Sequence, residues 1–170
     1  MNMKDFDISI IRPEMRAADF KRRGQGMHRA RLKSIKRGLR TLHTLETMAV
    51  NIYKFQIARK TDDLNLQLIS AMSNEMTHLQ DFQAKLFEYG FRPSKTRLLY
   101  WIAGFVFGLL SRVMGRRAIL RTGIWVETKA VHHYEELLRD IEWDVETRGI
   151  IEKDQADERG HIKRWQNFLK

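Results

Sequence analysis

The stretch Glu75-Met76-Thr77-His78 has a spacing that returns later in the chain as Glu158-Arg159-Gly160-His161. Both stretches are Glu-x-x-His motifs, and two residues three positions apart on a helix lie on the same face. Each motif can therefore direct one carboxylate and one imidazole at a common point, as a metal site requires. One such buried pair is more often a structural hydrogen bond, but two matched copies favour a metal site.

A lone glutamate precedes each motif on a segment with helical apolar periodicity. Glu46 comes 29 residues before the first motif and Glu127 comes 31 residues before the second. A carboxylate in an apolar stripe is costly to bury unless it is paired or bound to a metal. The order Glu, Glu-x-x-His, Glu, Glu-x-x-His is the ligand set of ferritin-like bundles, in which four helices hold two metal ions. We therefore predict an all-α fold, a ferritin-like four-helix bundle, with six metal ligands: Glu46, Glu75, His78, Glu127, Glu158 and His161.

The composition agrees with a single helical domain. The chain has 170 residues, two prolines and no cysteine. This length can bury a substantial core, and the scarcity of proline beside many helix-forming residues favours helices over a sheet. A sequence without cysteine excludes disulfides, thiolate metal sites and a cysteine nucleophile. Carboxylate and imidazole ligands suit iron or manganese better than copper(I).

The positive charge is concentrated before the first candidate ligand. The net charge is +10, and residues 1–40 contain twelve Lys or Arg against four Asp or Glu. We predict a basic, loosely ordered leader over residues 1–34 and a ferritin-like di-iron bundle domain over residues 35–170. The leader could be a solvated tail, or it could bind anionic lipid, an acidic partner or nucleic acid. Residues 21–40 carry no aromatic ring to stack on bases, which argues against nucleic acid.

An uncharged apolar run occupies residues 98–111. Fourteen helical residues extend about 21 Å, which is less than the ~30 Å hydrocarbon core of a bilayer. We predict an additional amphipathic or apolar helix in a long crossover between the second and third bundle helices, lying on an anionic lipid surface through residues 98–121. A core helix or an oligomer contact is the alternative. Basic residues frame the run: Arg92, Lys95, Arg97, Arg112, Arg116, Arg117 and Arg121.

Other polar residues share faces with the candidate ligands. Tyr134 lies two turns after Glu127, so that it could approach the site, whereas His132 and His133 fall on other faces of the same helix. Asp154 lies one turn before Glu158. It could orient a ligand histidine, or it could be exposed.

With these residues in place, the chain resembles the demethoxyubiquinone hydroxylase family, the di-iron monooxygenases of ubiquinone biosynthesis, from about residue 36 to residue 168. The similarity includes the surroundings of the first two glutamates and several later groups in the same order and spacing. These groups are Arg92-Pro93, the hydrophobic segment 101–108, Gly115, Val126-Glu127 and His132-His133-Tyr134.

The resemblance implies two iron ions at the six ligands. By the superfamily pattern, Glu75 and Glu158 would bridge the irons, while Glu46 and Glu127 would be terminal ligands. It also implies an oxidoreductase that uses dioxygen and NADH or another reductant to hydroxylate a prenylated quinone ring. The same resemblance gives His133 and Tyr134 a part in passing electrons from NADH through the quinone to the metals.

The implied location is the surface of the inner membrane, on the cytoplasmic side in a bacterium or on the matrix side in a mitochondrion. A homo-oligomer or a biosynthetic complex would be in keeping with that location. Two alternatives stay open at this point. One is a ferritin- or rubrerythrin-like iron-binding or storage protein without hydroxylase activity, and the other is a divergent family member that acts on another substrate.

Overall fold

The computed structural model describes residues 21–170, and the first twenty residues of the predicted leader lie outside this range. The described part is built from helices, with no strand between residues 21 and 170. This confirms the predicted all-α fold. The helices are α1 (Arg29–Gln56), α2 (Asp63–Glu88), α3 (Arg97–Met114), α4 (Arg116–Asp140) and α5 (Val145–Leu169).

Four of these helices form the bundle, and α3 is the additional helix of the crossover. Short connections make α1 and α2 one antiparallel pair and α4 and α5 the other, and the pairs meet through α1 with α4 and α2 with α5. The third helix lies along α1 and also contacts α4. Gly115, at φ 91°, separates α3 from α4, and this left-handed backbone suits a residue without a side chain.

Helix α1 begins at Arg29, six residues before the predicted domain boundary. The chain just before it is held against the bundle by Arg23, whose side chain is only 11% exposed. The guanidinium pairs with Glu88 at the end of α2 and with Asp144 and Glu146 at the start of α5. Its several N–H groups can serve all three carboxylates, and they link Arg23 to the end of α2 and the start of α5.

The hydrophobic core consists of two clusters, one near each end of the bundle. One cluster joins the first half of α1 to the second halves of α2 and α4, and the other joins the second half of α1 to the first halves of α2 and α4. Along each bundle helix, the candidate metal ligands fall between the two clusters. The first contains Ile35, Leu39, Leu42, Phe82, Leu86, Tyr89, Ala130, Tyr134, Ile141, Trp143 and Ile151; the second contains Tyr53, Leu64, Leu68, Ala71, Ile119, Leu120 and Trp165.

A stripe of small residues brings α3 against the backbone of α1. A Cβ atom at Gly104 would lie 2.5 Å from the carbonyl oxygen of Met48, and one at Gly108 would lie 2.6 Å from that of Ile52. The opposite face of α3 is exposed and apolar. The helix has 18 residues rather than the 14 of the uncharged run, so that by length and composition alone it could cross a membrane.

Candidate metal centre

The structure brings all six predicted ligands together in the middle of the bundle. Helix α1 supplies Glu46, α2 and α5 each supply one Glu-x-x-His pair, and α4 supplies Glu127. None of the six side chains is appreciably exposed to solvent. Four charged carboxylates buried together would repel each other strongly, and the cluster therefore requires compensating positive charge.

The six residues form two overlapping groups of four potential ligands. In each group, the donor atoms lie within 4.8 Å of one another. Glu46 and His78 belong to one group, and Glu127 and His161 belong to the other. Glu75 and Glu158 belong to both, and this is the arrangement expected of two carboxylates that bridge a pair of ions.

Both histidines turn Nδ1 toward the two shared carboxylates. His78 Nδ1 is 3.1 Å from Oε1 of Glu158 and 3.6 Å from Oε2 of Glu75. His161 Nδ1 is 3.0 Å from Oε1 of Glu75 and 3.5 Å from Oε2 of Glu158. The imidazoles thus approach the centre in matching ways from opposite helices, so that each could serve a different ion.

The electrostatics of the cluster favour proton uptake when no cation is bound. Burial, reinforced by the charge of Glu158, raises the pKa of Glu127 to about 8. Burial also raises the pKa of Glu46 well above its usual range. For His161, burial acts to lower the pKa, but the surrounding carboxylates, Glu127 first among them, outweigh it and raise the pKa to about 12. Bound cations would therefore replace protons here.

Unpaired oxygens indicate where cations would fit. Within residues 21–170, both carboxylate oxygens of Glu75 and the Oε2 atoms of Glu127 and Glu158 are buried and make no hydrogen bond, although His161 Nδ1 lies 3.0 Å from Oε1 of Glu75. Such orphaned acceptors are rare in folded proteins and need an explanation. A donor set of four carboxylates and two imidazoles suits divalent iron or manganese. The residues present therefore fit two such ions.

The outer edge of the His78 ring faces two more carboxylates. Its Nε2 atom is 3.3 Å from Oδ2 of Asp157 and 3.8 Å from Oδ1 of Asp154. Asp154 is fully buried and therefore not exposed, and burial raises its pKa to about 7; neither of its carboxylate oxygens makes a hydrogen bond within residues 21–170. A carboxylate behind a histidine fixes the tautomer and the ring orientation. Asp157 was not predicted.

The two residues to which the family resemblance gives a part in electron transfer differ in position. Tyr134 is fully buried, and its hydroxyl donates a hydrogen bond to Oε1 of Glu46 over 2.7 Å. His133 is not brought to the centre. Its side chain is 43% exposed, and its Nδ1 lies 3.3 Å from Oε2 of Glu136. Six residues beyond Glu127, it points roughly 120° away around the helix.

A second tyrosine contacts the centre and was not predicted as a site residue. The buried hydroxyl of Tyr53 donates a hydrogen bond to Oε1 of Glu127, and Trp165 Nε1 donates to the same hydroxyl over 3.0 Å. A signal for Tyr53 exists in the sequence. It follows Glu46 by seven residues, just as Tyr134 follows Glu127.

Four helices that converge on a buried carboxylate–histidine cluster define a ferritin-like bundle with a candidate two-metal centre. The model of the family described as Ubiquinone biosynthesis protein COQ7 matches residues 33–165, and the chain belongs to this family. This confirms the resemblance found in the sequence, and all six candidate ligands fall within the matched residues.

Curated relatives carry hydroxylase names. The NADPH-dependent 3-demethoxyubiquinone 3-hydroxylase, mitochondrial, of Dictyostelium discoideum is 31% identical over 133 residues, which cover 75% of this chain and 61% of that protein. The 3-demethoxyubiquinol 3-hydroxylase of a Polaromonas species is 32% identical over 133 residues, or 76% of this chain and 63% of that protein. The Acidovorax protein of the same name is 29% identical over 125 residues, or 72% and 61%. The chain thus spans about three fifths of the length of these relatives.

Proposed function

We propose that this chain is a di-iron, dioxygen-dependent monooxygenase that hydroxylates the ring of a prenylated quinone. The observation that carries the proposal is the pair of overlapping ligand groups that share Glu75 and Glu158. The names of the curated relatives support the substrate class, since all three that are compared above are 3-hydroxylases of demethoxyubiquinone or demethoxyubiquinol.

Two iron ions bound by the six ligands would supply the reduction of dioxygen and the transfer of one oxygen atom to the ring. The surrounding protein holds the ligands and excludes water. The hydrophobic clusters lie on either side of the cluster of ligands, so that its charges interact in a medium of low dielectric constant. Asp157 is hydrogen-bonded to the outer edge of the His78 ring, which fixes the ring for metal binding.

Tyr134 and His133 would serve the reductant in different ways. Tyr134 acts inside the bundle, where its hydroxyl contacts Glu46. His133 acts from the surface of α4 and could contact only a reductant or quinone that approaches from outside. The reductant would be NADH or NADPH, of which the name of the Dictyostelium relative specifies the second. Tyr134→Phe should slow oxygen transfer at saturating reductant, whereas His133→Ala should raise the reductant concentration required.

The outer face of α3 supports a location at the membrane surface. Its exposed side chains are apolar and include Leu98, Leu99, Trp101, Ile102, Val106, Phe107, Leu109, Leu110, Val113 and Met114. The opposite face is fixed to α1 through Gly104 and Gly108. If α3 crossed the bilayer, the charged helix α1 packed against it would also have to enter the hydrocarbon core, which is costly. If α3 lies in the interface, α1 stays in water.

A cationic groove adjoins the start of α3. A cavity of about 450 Å³ is lined by the basic side chains Lys33, Lys36, Arg37 and Arg40 together with Ser94, Thr96 and Tyr100. Lipid phosphates could occupy this groove while the apolar face of α3 enters the acyl layer. We place the protein on the inner membrane, on the matrix side in a mitochondrion or on the cytoplasmic side in a bacterium.

Flotation with anionic liposomes tests the membrane proposal. Leu99→Glu with Leu110→Glu changes two residues of α3 that are 65% and 55% exposed, and this variant should lose binding. Leu66→Glu with Ile69→Glu introduces the same charges on the exposed side of α2 and should bind as before. Equal flotation of the two variants would contradict the proposed surface.

Iron content and product mass test the enzymatic proposal. The metal-free chain is loaded with ferrous iron under argon, the bound iron is counted, and a demethoxyubiquinone analogue with dioxygen is added for a single turnover. We expect two irons per chain and a product heavier by one oxygen atom. Glu75→Gln with Glu158→Gln should abolish both results, whereas Glu152→Gln, an exposed change on α5, should alter neither.

The same experiment separates the alternatives. Two irons per chain without an oxygenated product from any prenylated quinone would indicate an iron-binding or storage bundle. Oxygen transfer to a different quinone alone would indicate a divergent member of the family. Less than one iron per chain would refute the metal centre itself.

A further inference from the structure

The centre has two halves, one with Glu46 and His78 and the other with Glu127 and His161. The halves exchange tyrosines, which means that the glutamate of each half accepts a hydrogen bond from a tyrosine on the helix of the other glutamate. Tyr53 follows Glu46 by two turns on α1, and Tyr134 follows Glu127 by two turns on α4. Neither hydroxyl donates to the glutamate of its own helix. Tyr134 of α4 donates to Glu46 of α1, and Tyr53 of α1 donates to Glu127 of α4. Each predicted terminal ligand is therefore held by the opposite half of the bundle.

The Tyr53 side of the exchange has a fixed direction. Trp165 Nε1 is a donor only, so that the Tyr53 oxygen must accept over the 3.0 Å between them. The hydroxyl hydrogen is then committed to Oε1 of Glu127. Within residues 21–170, Oε2 of Glu127 has no hydrogen bond. Oε1 of this carboxylate thus accepts from Tyr53 and lies 3.5 Å from His161 Nδ1, whereas Oε2 makes no hydrogen bond and is free to bind a metal.

The packing around Trp165 keeps this chain of hydrogen bonds in place. The indole and the Tyr53 ring lie 5.7 Å apart between centroids. Gly123, one turn before Glu127, leaves room for the indole, because a Cβ atom there would be 3.0 Å from its Nε1 and Cδ1 atoms. Helices α1, α4 and α5 therefore meet at a single buried polar chain that ends on Glu127.

We infer that Tyr53 is a positioning residue that presents Oε2 of Glu127 to one metal ion, and that Trp165 fixes Tyr53 in this role. The inference rests on the proposed metal centre and extends it, since it assigns a supporting residue to the half that holds Glu127 and His161. Removal of the Tyr53 hydroxyl frees the Glu127 carboxylate to rotate and to take other hydrogen bonds. The ion held by Glu127 and His161 should then bind more weakly than the ion held by Glu46 and His78.

Cobalt(II) titration of the metal-free chain, followed by visible absorption, tests this inference without any turnover. The wild type should bind two Co²⁺ ions. Tyr53→Phe should weaken one of the two by about 10-fold or more, in line with the usual effect of removing such a supporting group. Trp165→Phe should weaken the same step to a smaller extent. Circular dichroism melting checks that both variants fold.

Tyr89→Phe is the matched control, because Tyr89 donates its hydroxyl to Asp144 away from the centre. It removes the same kind of bond and should leave both Co²⁺ affinities unchanged. Adding Tyr53→Phe to a Glu127→Gln background should produce no further loss, since Tyr53 acts through that carboxylate.

The outcomes separate the inference from the proposed function. A wild type that binds no Co²⁺ overturns both. A wild type that binds two ions, with Tyr53→Phe unchanged or weakened equally at both steps, overturns only the positioning role of Tyr53. A further loss in the Glu127→Gln background has the same consequence.

Discussion

Removal of the metal should leave a bundle that becomes less stable as the pH rises from about 5 to about 7. Burial raises the pKa of Glu127 from 4.5 to about 8. The folded metal-free chain therefore keeps a proton on Glu127 that the unfolded chain releases. The stability that comes from this proton is fully present below pH 4.5 and is lost as the pH rises through the folded pKa.

The size of the effect follows from the number of extra protons. One extra proton in the folded state costs about 1.4 kcal/mol of stability per pH unit, so that Glu127 alone gives about 3 kcal/mol between pH 5 and pH 7. Asp154, whose pKa burial raises to about 7, acts with the same sign. Glu127 and Asp154 together give roughly 3 to 5 kcal/mol, which is a large part of the stability of a typical domain. Glu146 titrates below this range, because Lys85 and Arg23 lower its pKa to about 2.

Urea denaturation of the chain, followed by circular dichroism at pH 5, 6 and 7, measures this dependence. With a chelator present, the free energy of unfolding should fall with pH. With saturating iron under argon, the dependence should be much flatter, since the metal already keeps the carboxylates ionised. Glu127→Gln is the decisive variant, because glutamine cannot ionise. Its metal-free form should be more stable than the wild type at pH 7. Its free energy of unfolding should also fall less steeply with pH, by about 1.4 kcal/mol per pH unit, because one proton fewer is released.

Two results would refute this reasoning. A metal-free wild type whose stability is constant or increases from pH 5 to pH 7 would show that the buried carboxyls are not protonated in the folded state. A Glu127→Gln chain with the wild-type slope would show that the protons reside on other groups.

Three changes outside the centre test the packing of the fold, each by urea denaturation of the iron-loaded chain. Gly104→Ala should lower the free energy of unfolding by about 1 to 3 kcal/mol through overpacking. As a control, Gly149→Ala, whose added Cβ meets nothing within 4 Å, should raise it by up to about 1 kcal/mol. Equal stability of the two variants would contradict the close contact of α3 with α1. Arg23→Met should cost about 3 kcal/mol, because it leaves the buried Glu88 carboxylate with one cationic partner fewer; an unchanged stability would mean that this segment does not support the bundle. Asp62→Ala should cost about 1 kcal/mol, because the side chain of Asp62 caps α2, and no loss would show that water replaces the cap.

The metal ligands could be predicted from the sequence because their signal is local. Three positions along a helix place Glu75 and His78 on one face whatever the tertiary structure is, and the second motif repeats the pattern. The ordered start of the bundle could not be predicted in this way. Arg23 looks like one more basic residue of a leader, and its acidic partners are 65 or more residues away in the chain.

Helix α3 shows a similar limit. Its apolar run and basic frame indicate an exposed helix, but Gly104 and Gly108 reduce helix propensity when they are considered locally. Their role becomes clear only with the neighbour in place, because they admit the carbonyl oxygens of Met48 and Ile52. The helix is therefore fixed to the bundle on one side and presents its large apolar residues on the other.

The exchanged tyrosines show what internal comparison can add to a single sequence. Tyr134 and His133 were both proposed from resemblance, yet helix geometry separates them, since seven residues return to the starting face and six do not. The same argument applied to Glu46 selects Tyr53, and the structure shows both tyrosines hydrogen-bonded to a carboxylate of the centre. The spacing alone would have paired each tyrosine with the glutamate of its own helix. The exchange arises because α1 and α4 pack together, so that two turns along one helix reach the ligand of the other.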